Sequence, residues 1–230
     1  MGECRSKIKS REYYGNMMLR EGGADALISG LTVKYPTALR PILRMIGMEE
    51  GMRKAAGMYI LLSKRGPLFF ADTTINLDPT VEDLVQMVLN VADTVKRTNI
   101  VPKVALLSYS NFGSSNGPDA HKMAKASAIL RKEHPDLIVD GEMQANFALE
   151  PELLQESFPF SDLVGHQANV FIFPNLAAGN ITYKMLQSFG AAEAIGPMLI
   201  GTKHSAHVLQ LGASVREIVN MATLAAVDAR

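Results

Sequence analysis

Apolar positions along this chain keep two alternating rhythms, and the alternation predicts its architecture. Residues 11–20 read as a short helix. They lead into Ala24-Asp25-Ala26-Leu27-Ile28-Ser29-Gly30, an apolar run closed by glycine that reads as a buried strand. A helix carrying Arg40 and Arg44 follows. Stretches 57–62 and 67–73 are β-rich and flank Ser63-Lys64-Arg65-Gly66, a glycine-bearing turn, which predicts a hairpin. Between 79 and 98, Val81, Leu84, Val85, Val88, Leu89, Val91, Ala92 and Val95 recur at helical spacing, with Pro79 suited to the first turn.

The remaining segments repeat a strand–loop–helix order. Val104-Ala105-Leu106-Leu107 is an apolar strand that runs into Ser108-Tyr109-Ser110-Asn111-Phe112-Gly113-Ser114-Ser115-Asn116-Gly117. A helix over 118–133 is stopped by Pro135, and Leu137-Ile138-Val139 is the next strand. Asn169-Val170-Phe171-Ile172-Phe173 opens a second such unit, with a loop over 174–179 and a helix to about Phe189. A strand is expected over 195–201. The last helix begins at Ser214, where Glu217 three residues on makes a capping box. This order predicts an α/β fold with a parallel, helix-covered sheet, made mixed by the hairpin. No repeat and no low-complexity linker interrupts it, so any two lobes are interleaved along the chain.

Composition narrows the function. Across 230 residues the 23 basic and 23 acidic side chains cancel, so no overall field draws the protein to nucleic acid or an anionic membrane. An anion must be held by local groups. The single cysteine, Cys4, cannot form a disulfide within the chain and has no histidine close in sequence, so it reads as incidental in a reducing compartment. The first residues lack the apolar segment of a secretory signal, and no apolar run approaches the ~20 residues that span a bilayer. The expected location is cytoplasmic, with neither membrane nor nucleic acid as partner.

Four segments offer chemistry. The Ser/Gly loop lies beyond a strand's C-terminal end, where open α/β sheets bind ligands. Hydroxyls of Ser108, Ser110, Ser114 and Ser115, and close backbone approach at Gly113, suit a phosphate; a plain glycine-rich connection is the other reading. The loop is neither a Walker loop nor a dinucleotide fingerprint. The segment 174–184 presents Asn175, Asn180, Tyr183 and Lys184, although asparagines there also serve as ordinary helix caps. Asp140-Gly141-Glu142 offers two carboxylates for a metal or for proton transfer, against a structural or capping role. Arg40, in Thr37-Ala38-Leu39-Arg40-Pro41 just after the strand ending Ser29-Gly30, can fork onto a phosphate or remain an exposed helix cation. His121, His134, His166, His204 and His207 lack metal-ligand spacing, and no metal is expected.

Taken in order, Gly23 to Gly30, Thr37 to Pro41, Phe70-Ala71-Asp72-Thr73, the strand and loop at 104–115, Asp140-Gly141-Glu142, the 169–184 block, the 190–201 stretch and Ser214-Val215-Arg216-Glu217-Ile218-Val219-Asn220 resemble the phosphotransacetylase (phosphate acetyl/butyryl transferase) family. The resemblance implies an isocitrate-dehydrogenase-like, two-lobed architecture and a homodimer or higher homo-oligomer. It also implies the reaction of acetyl-CoA with phosphate to give acetyl phosphate and CoA, with no covalently bound cofactor. On this reading, 1–45 and 202–230 form an outer lobe whose first strands are absent, and 46–201 the inner lobe. Ser29, Thr37, Arg40, Ser108, Ser110, Gly113, Ser114, Ser115, Asn180, Tyr183 and Gln210 are the implied ligand contacts.

The departures shape the expectation. Active members carry Ser-Arg-Gly-Cys-Ser where this chain has Gln210-Leu211-Gly212-Ala213-Ser214, and an aspartate where it has Glu217. Their Ser-Thr-Lys-Gly-Ser is here Ser110-Asn111-Phe112-Gly113-Ser114. Losing one oxyanion donor alone can cost ~3–4 kcal/mol of transition-state stabilisation. The Ser108–Ser115 wording and His207-Val208-Leu209 are instead similar to the phosphotransacetylase-like region of bacterial NADP-dependent malic enzymes. The leading expectation is a non-catalytic, acetyl-CoA-binding regulatory and oligomerising domain of such an enzyme, whose NADP and divalent metal would sit on another domain. An active phosphate acetyltransferase, with Glu217 as base and Arg40 stabilising the anion, is the second reading. A purely structural dimerisation domain is the third.

Overall fold

The computed structural model describes residues 6–229 and divides into two compact units. One holds the described residues up to Ala55 together with those from Ile195 onward; the other is Ala56–Ala194. Cys4 lies outside the described residues. The division falls after Ala55 and after Ala194, where the sequence placed it after 45 and 201. Segments 46–55 and 195–203 are tied together by the Met48–Thr202 bridge and by bonds from Glu49 N to Gly201 O and from Lys203 N to Gly47 O.

The Ala56–Ala194 unit is built on strands in the order β5-β4-β6-β3-β2. The hairpin β2 (Ala56–Ser63) and β3 (Gly66–Ala71) is antiparallel, pairing Tyr59 with Phe70 and Leu61 with Leu68. Its turn is closed by the Ser63 hydroxyl, which donates to Gly66 O at 2.9 Å and accepts from Arg65 N at 3.1 Å. From β3 onward the sheet is parallel. β6 (Val170–Ile172) lies between β3 and β4 (Lys103–Leu107), and β5 (Ile138–Met143) pairs beyond β4. Such strands are covered on both faces, and Val104 to Leu107 and Val170 to Ile172 are accordingly buried.

Helices cover this sheet as their patterns require. Helix α3 (Val81–Arg97) starts with a complete capping box between Thr80 and Asp83, and buries Leu84, Met87, Val88, Val91, Ala92 and Val95. Helix α4 (Pro118–Glu133) buries Ala120, Met123, Ala126 and Leu130 at the same spacing. Two short helices the periodicity did not reveal, α5 (Ala145–Leu149) and α6 (Pro151–Ser157), follow β5. They are too short to show a helical repeat, and packing rather than propensity holds them. Helix α7 (Leu176–Ser188) begins at Leu176, before the glycine expected to precede it, because Asn175 caps it by accepting from Ala178 N at 3.0 Å. The core joins Phe70, Phe171 and Phe173 to Tyr59 and Tyr183, whose rings stack 4.1 Å apart.

The other unit centres on two parallel strands, β1 (Ala26–Gly30) and β8 (Ser205–Leu209), in register from Ala26–Ser205 to Gly30–Leu209. Strand β7 (Glu193–Ile200) carries the chain back into it. Helices α1 (Arg11–Arg20), α2 (Tyr35–Met45) and α8 (Val215–Asp228) complete it. Strand β8 was not foreseen, because polar Ser205 and His207 hide its apolar character; all five of its residues are buried. Among the described residues, no helix is long and apolar enough to cross a membrane.

Gly179 allows α7 its close approach to the end of β3. A Cβ there would stand 2.5 Å from the Asp72 carbonyl oxygen and 3.1 Å from the Phe173 ring. Gly179→Ala is therefore expected to destabilise the protein by about 1–3 kcal/mol, read as a lower midpoint in urea unfolding.

Candidate functional site

The strand ends of the Ala56–Ala194 unit carry a polar network whose centres are buried carboxylates. At the end of β5, Glu142 is 2 % exposed. Its Oε1 accepts from the Ser110 hydroxyl at 2.8 Å and from Gly113 N at 2.8 Å, and its carbonyl oxygen accepts from Phe112 N at 2.9 Å. Because the Ser110 proton goes to Glu142, the 3.2 Å contact between the Ser110 and Ser114 hydroxyls has Ser114 as donor. Ser110 Oγ also accepts from Ser115 N at 3.0 Å, Ser114 Oγ from Asn111 N at 2.9 Å, and Ser108 Oγ from Ser110 N at 3.1 Å. The Ser/Gly loop is thus folded around an internal anion. Ser110, expected to donate to a ligand, is fully buried and donates to Glu142 instead.

Glycine makes this possible. Gly141 has φ +141°, and a Cβ there would lie 2.5 Å from Leu106 O. At this point the β4–β5 register slips, so that Leu106 faces Gly141 and Leu107 faces Met143. Phe112, with φ 45°, packs its ring against Phe158 at 4.9 Å and Phe160 at 5.0 Å. The position that carries lysine in the resembled motif is here an aromatic anchor.

Asp140 does not join Glu142 in a shared site. Its oxygens accept from the Ser161 hydroxyl at 2.7 Å, Asp162 N at 3.0 Å and Gly141 N at 2.8 Å, with Arg131 at 3.5 Å. Each carboxylate has its own neighbours, so the structural alternative describes both. Asp72, at the end of β3, plays the same part. Its Oδ1 accepts from the backbone N–H of Gly57, Thr74 and Ile75, and its Oδ2 from Asn76 N and Nδ2. Asn180 on α7 donates to Thr73 O at 3.0 Å and so pins this turn.

Sequence reasoning missed Asp72 as an organising group, along with a surface cluster at the same strand ends. Asn175 donates to Asp119 Oδ2 at 3.1 Å, and Lys122 bridges Asp119 at 3.0 Å and Asp78 at 2.5 Å. Burial lowers the Lys122 pKa, but bonds to Asp78 and Asp119 outweigh it and hold the ammonium above its ordinary value. A signal for Asp72 existed in the string Asp72-Thr73-Thr74, since aspartate accepts from the backbone two residues on. Tyr183, expected at the ligand, is 1 % exposed and points into the core, with its hydroxyl 3.4 Å from that of Tyr59. Lys184 lies 5.2 Å from the Tyr183 ring centroid.

In the other unit, the parallel ends of β1 and β8 bring Ser29 opposite Val208, and Gln210 directly follows β8. Both Ser29 and Gln210 are half-buried. Thr37 and Arg40 are exposed on the first turns of α2, whose N-cap Lys34 makes no side-chain capping bond. Glu217 is engaged in the capping box of α8: its Oε2 accepts from Ser214 N at 2.7 Å, and Ser214 Oγ accepts from Glu217 N at 3.2 Å. Leu211 is 61 % exposed. Among the described residues, no three His, Cys, Asp or Glu side chains gather as metal ligands.

Fold and strand-end loops together define an α/β protein with a mixed, mostly parallel sheet flanked by helices, and comparison places it further. The family profile for phosphate acetyl/butaryl transferases matches residues 1–226, and the chain belongs to that family. It is 36 % identical to a phosphate acetyltransferase of Bacillus subtilis over 99 % of its own length and 70 % of that protein. It is 41 % identical to an NADP-dependent malic enzyme of Haemophilus influenzae over 93 % of its own length, but spans only 28 % of that relative. A phosphotransacetylase structure from Streptococcus pyogenes superposes with a TM-score of 0.93 at 35 % identity, covering 99 % of this chain and 70 % of the other.

Removing the internal anion should unfold the loop it organises. Glu142→Ala leaves the Ser110 hydroxyl and Gly113 N–H without their acceptor and is expected to cost about 3 kcal/mol. Formate, small enough to occupy the vacated place, should raise the melting temperature of this variant more than that of the parent chain.

Proposed function

We propose that this chain is an acetyl-CoA-binding regulatory and oligomerising domain of an NADP-dependent malic enzyme that does not itself transfer acyl groups. One observation carries the reading: Glu217, which would have to act as base, is instead the N3 acceptor of its own helix cap. The neighbouring Leu211 supplies no charge, and Phe112 is packed among phenylalanines. Affinity for a carrier arises from many contacts, whereas turnover needs charges matched to the transition state. A domain can keep the first and lose the second.

Arg40 is an exposed cation in the second turn of α2 and is assigned to the carrier's phosphates, with Ser29, Thr37 and Gln210 as neutral contacts in the same unit. NADP and a divalent metal belong to the malic enzyme as a whole and not to these residues. Oligomerisation is supported by α7, where Ile181, Met185 and Phe189 are 57 %, 50 % and 74 % exposed along one stripe. A cytoplasmic location completes the proposal.

An active phosphate acetyltransferase is the second reading, favoured by the 36 % identity to the Bacillus subtilis enzyme over nearly the whole chain. The assay that separates them is thiol release from acetyl-CoA with and without phosphate at high protein concentration. No phosphate-dependent release, together with saturable acetyl-CoA binding by calorimetry, is the expected result. Phosphate-dependent release would establish the second reading, and absence of binding would leave a purely structural domain. Arg40→Ala is expected to weaken acetyl-CoA binding about tenfold, equivalent to ~1.4 kcal/mol.

A further inference from the structure

Among the described residues of the β1–β8 unit, a histidine is the most enclosed titratable side chain. His207, on β8, is completely buried. Its Nδ1 accepts from Leu199 N on β7 at 3.2 Å, which assigns the neutral ring with its proton on Nε2. Ser205 Oγ, two residues back on the same face of β8, stands 3.0 Å from Nε2. The Ser205 proton is directed to Ala225 O on α8 at 3.0 Å, so the ring Nε2–H donates to Ser205 Oγ. Asp228 Oδ2, in the last turn of α8, is 3.5 Å from the same nitrogen. One imidazole therefore joins β7, β8 and the C-terminal turn of α8.

We propose that His207 is a proton-sensitive latch: neutral, it holds β7 against β8 through the bond from Leu199 N, and a second proton on the ring opens that contact. That proton can enter only at Nδ1, where it would face the Leu199 N–H and leave two donors head to head. Burial pushes the ring's pKa below the ordinary histidine value, and Asp228 opposes this without cancelling it. Among the described residues, β1 and α2, the other elements packed most against β8, carry no carboxylate. Strand β1 sets Ile28 opposite His207 and has no titratable residue. Helix α2 buries Ala38, Pro41 and Ile42, with Tyr35 half-buried at its start and Arg40 and Arg44 exposed. Opening the latch acts on β7 and on β8, the strand that leads into Gln210. If the acetyl-CoA reading is correct, carrier affinity falls with acid; the latch itself does not depend on that reading.

The sign follows from linkage. Above about pH 6.5 both folded and unfolded chains hold a neutral ring, and the stability is fully present. Below it the unfolded chain takes a proton that the folded chain refuses, and stability is lost by up to tenfold in the folding equilibrium per pH unit. Urea unfolding of the whole chain between pH 7.5 and 5 is expected to show this loss, with His207→Asn losing less over the same window. Parallel slopes for the two proteins would overturn the latch. The substitution also removes buried hydrogen bonds, so nitrogen NMR of the unaltered protein supplies an independent reading. At pH 7 the His207 ring should show a bare Nδ1 and a protonated Nε2, with no titration near pH 6.5 while the protein stays folded. A His207 ring that titrates at or above pH 6.5 in the folded protein would equally overturn it.

Discussion

A carboxylate taken out of water must be solvated by the protein, and that requirement organises the strand ends of the Ala56–Ala194 unit. Asp72 and Glu142 are both buried, and both are met by neutral donors: five for Asp72, all from the backbone or the Asn76 amide, and a hydroxyl and a backbone N–H for Glu142. Each donor is fixed in place by the demand of the anion, so each loop has one conformation. Helix α7 closes against one of these turns because Gly179 has no side chain and Asn180 reaches Thr73 O. The serine-rich loop folds around Glu142, whose Oε1 accepts from the Ser110 hydroxyl and from Gly113 N.

This has a consequence for ligand recognition. In this loop the Ser110 hydroxyl already serves an internal carboxylate, and the serines offer a neutral surface rather than charge. Around it the charged groups are Asp78, Asp119 and Lys122, a cluster in which the two carboxylates outnumber the ammonium. In the other unit, Arg40 is exposed on α2, whose N-cap Lys34 makes no side-chain capping bond.

The family membership and the departures from its pattern fit one physical account. Backbone geometry is retained to a TM-score of 0.93 against the Streptococcus pyogenes phosphotransacetylase, while the chain shares only 35 % of its residues. The elements that carry shape are hydrophobic and tolerate exchange if volume and pattern are kept. Phe112 packs its ring against Phe158 and Phe160, and Leu211 is exposed, within a fold that is retained.

From sequence, the alternation of strands and helices, the β2–β3 hairpin, the capped start of α8, and the family resemblance were all legible, because periodicity and capping are local signals; Pro79, expected in the first turn of α3, instead precedes its N-cap Thr80. Short α5 and α6 and the polar-looking strand β8 were not, since their stability comes from packing against distant residues. The same distinction runs through the candidate site. Ser110, Ser114 and Gly113 could be recognised as a small-residue loop, and Asp140-Gly141-Glu142 as a pair of carboxylates, but nothing local says that Glu142 and Ser110 are bonded across 32 positions. Tyr183 looked available until the fold stacked it on Tyr59. His207 seemed unremarkable until β7 and α8 enclosed it. Residue types and spacing determined which chemistry this chain possesses. Only the tertiary structure decided which polar groups face one another, because a hydrogen bond is set by distance in space and not along the chain.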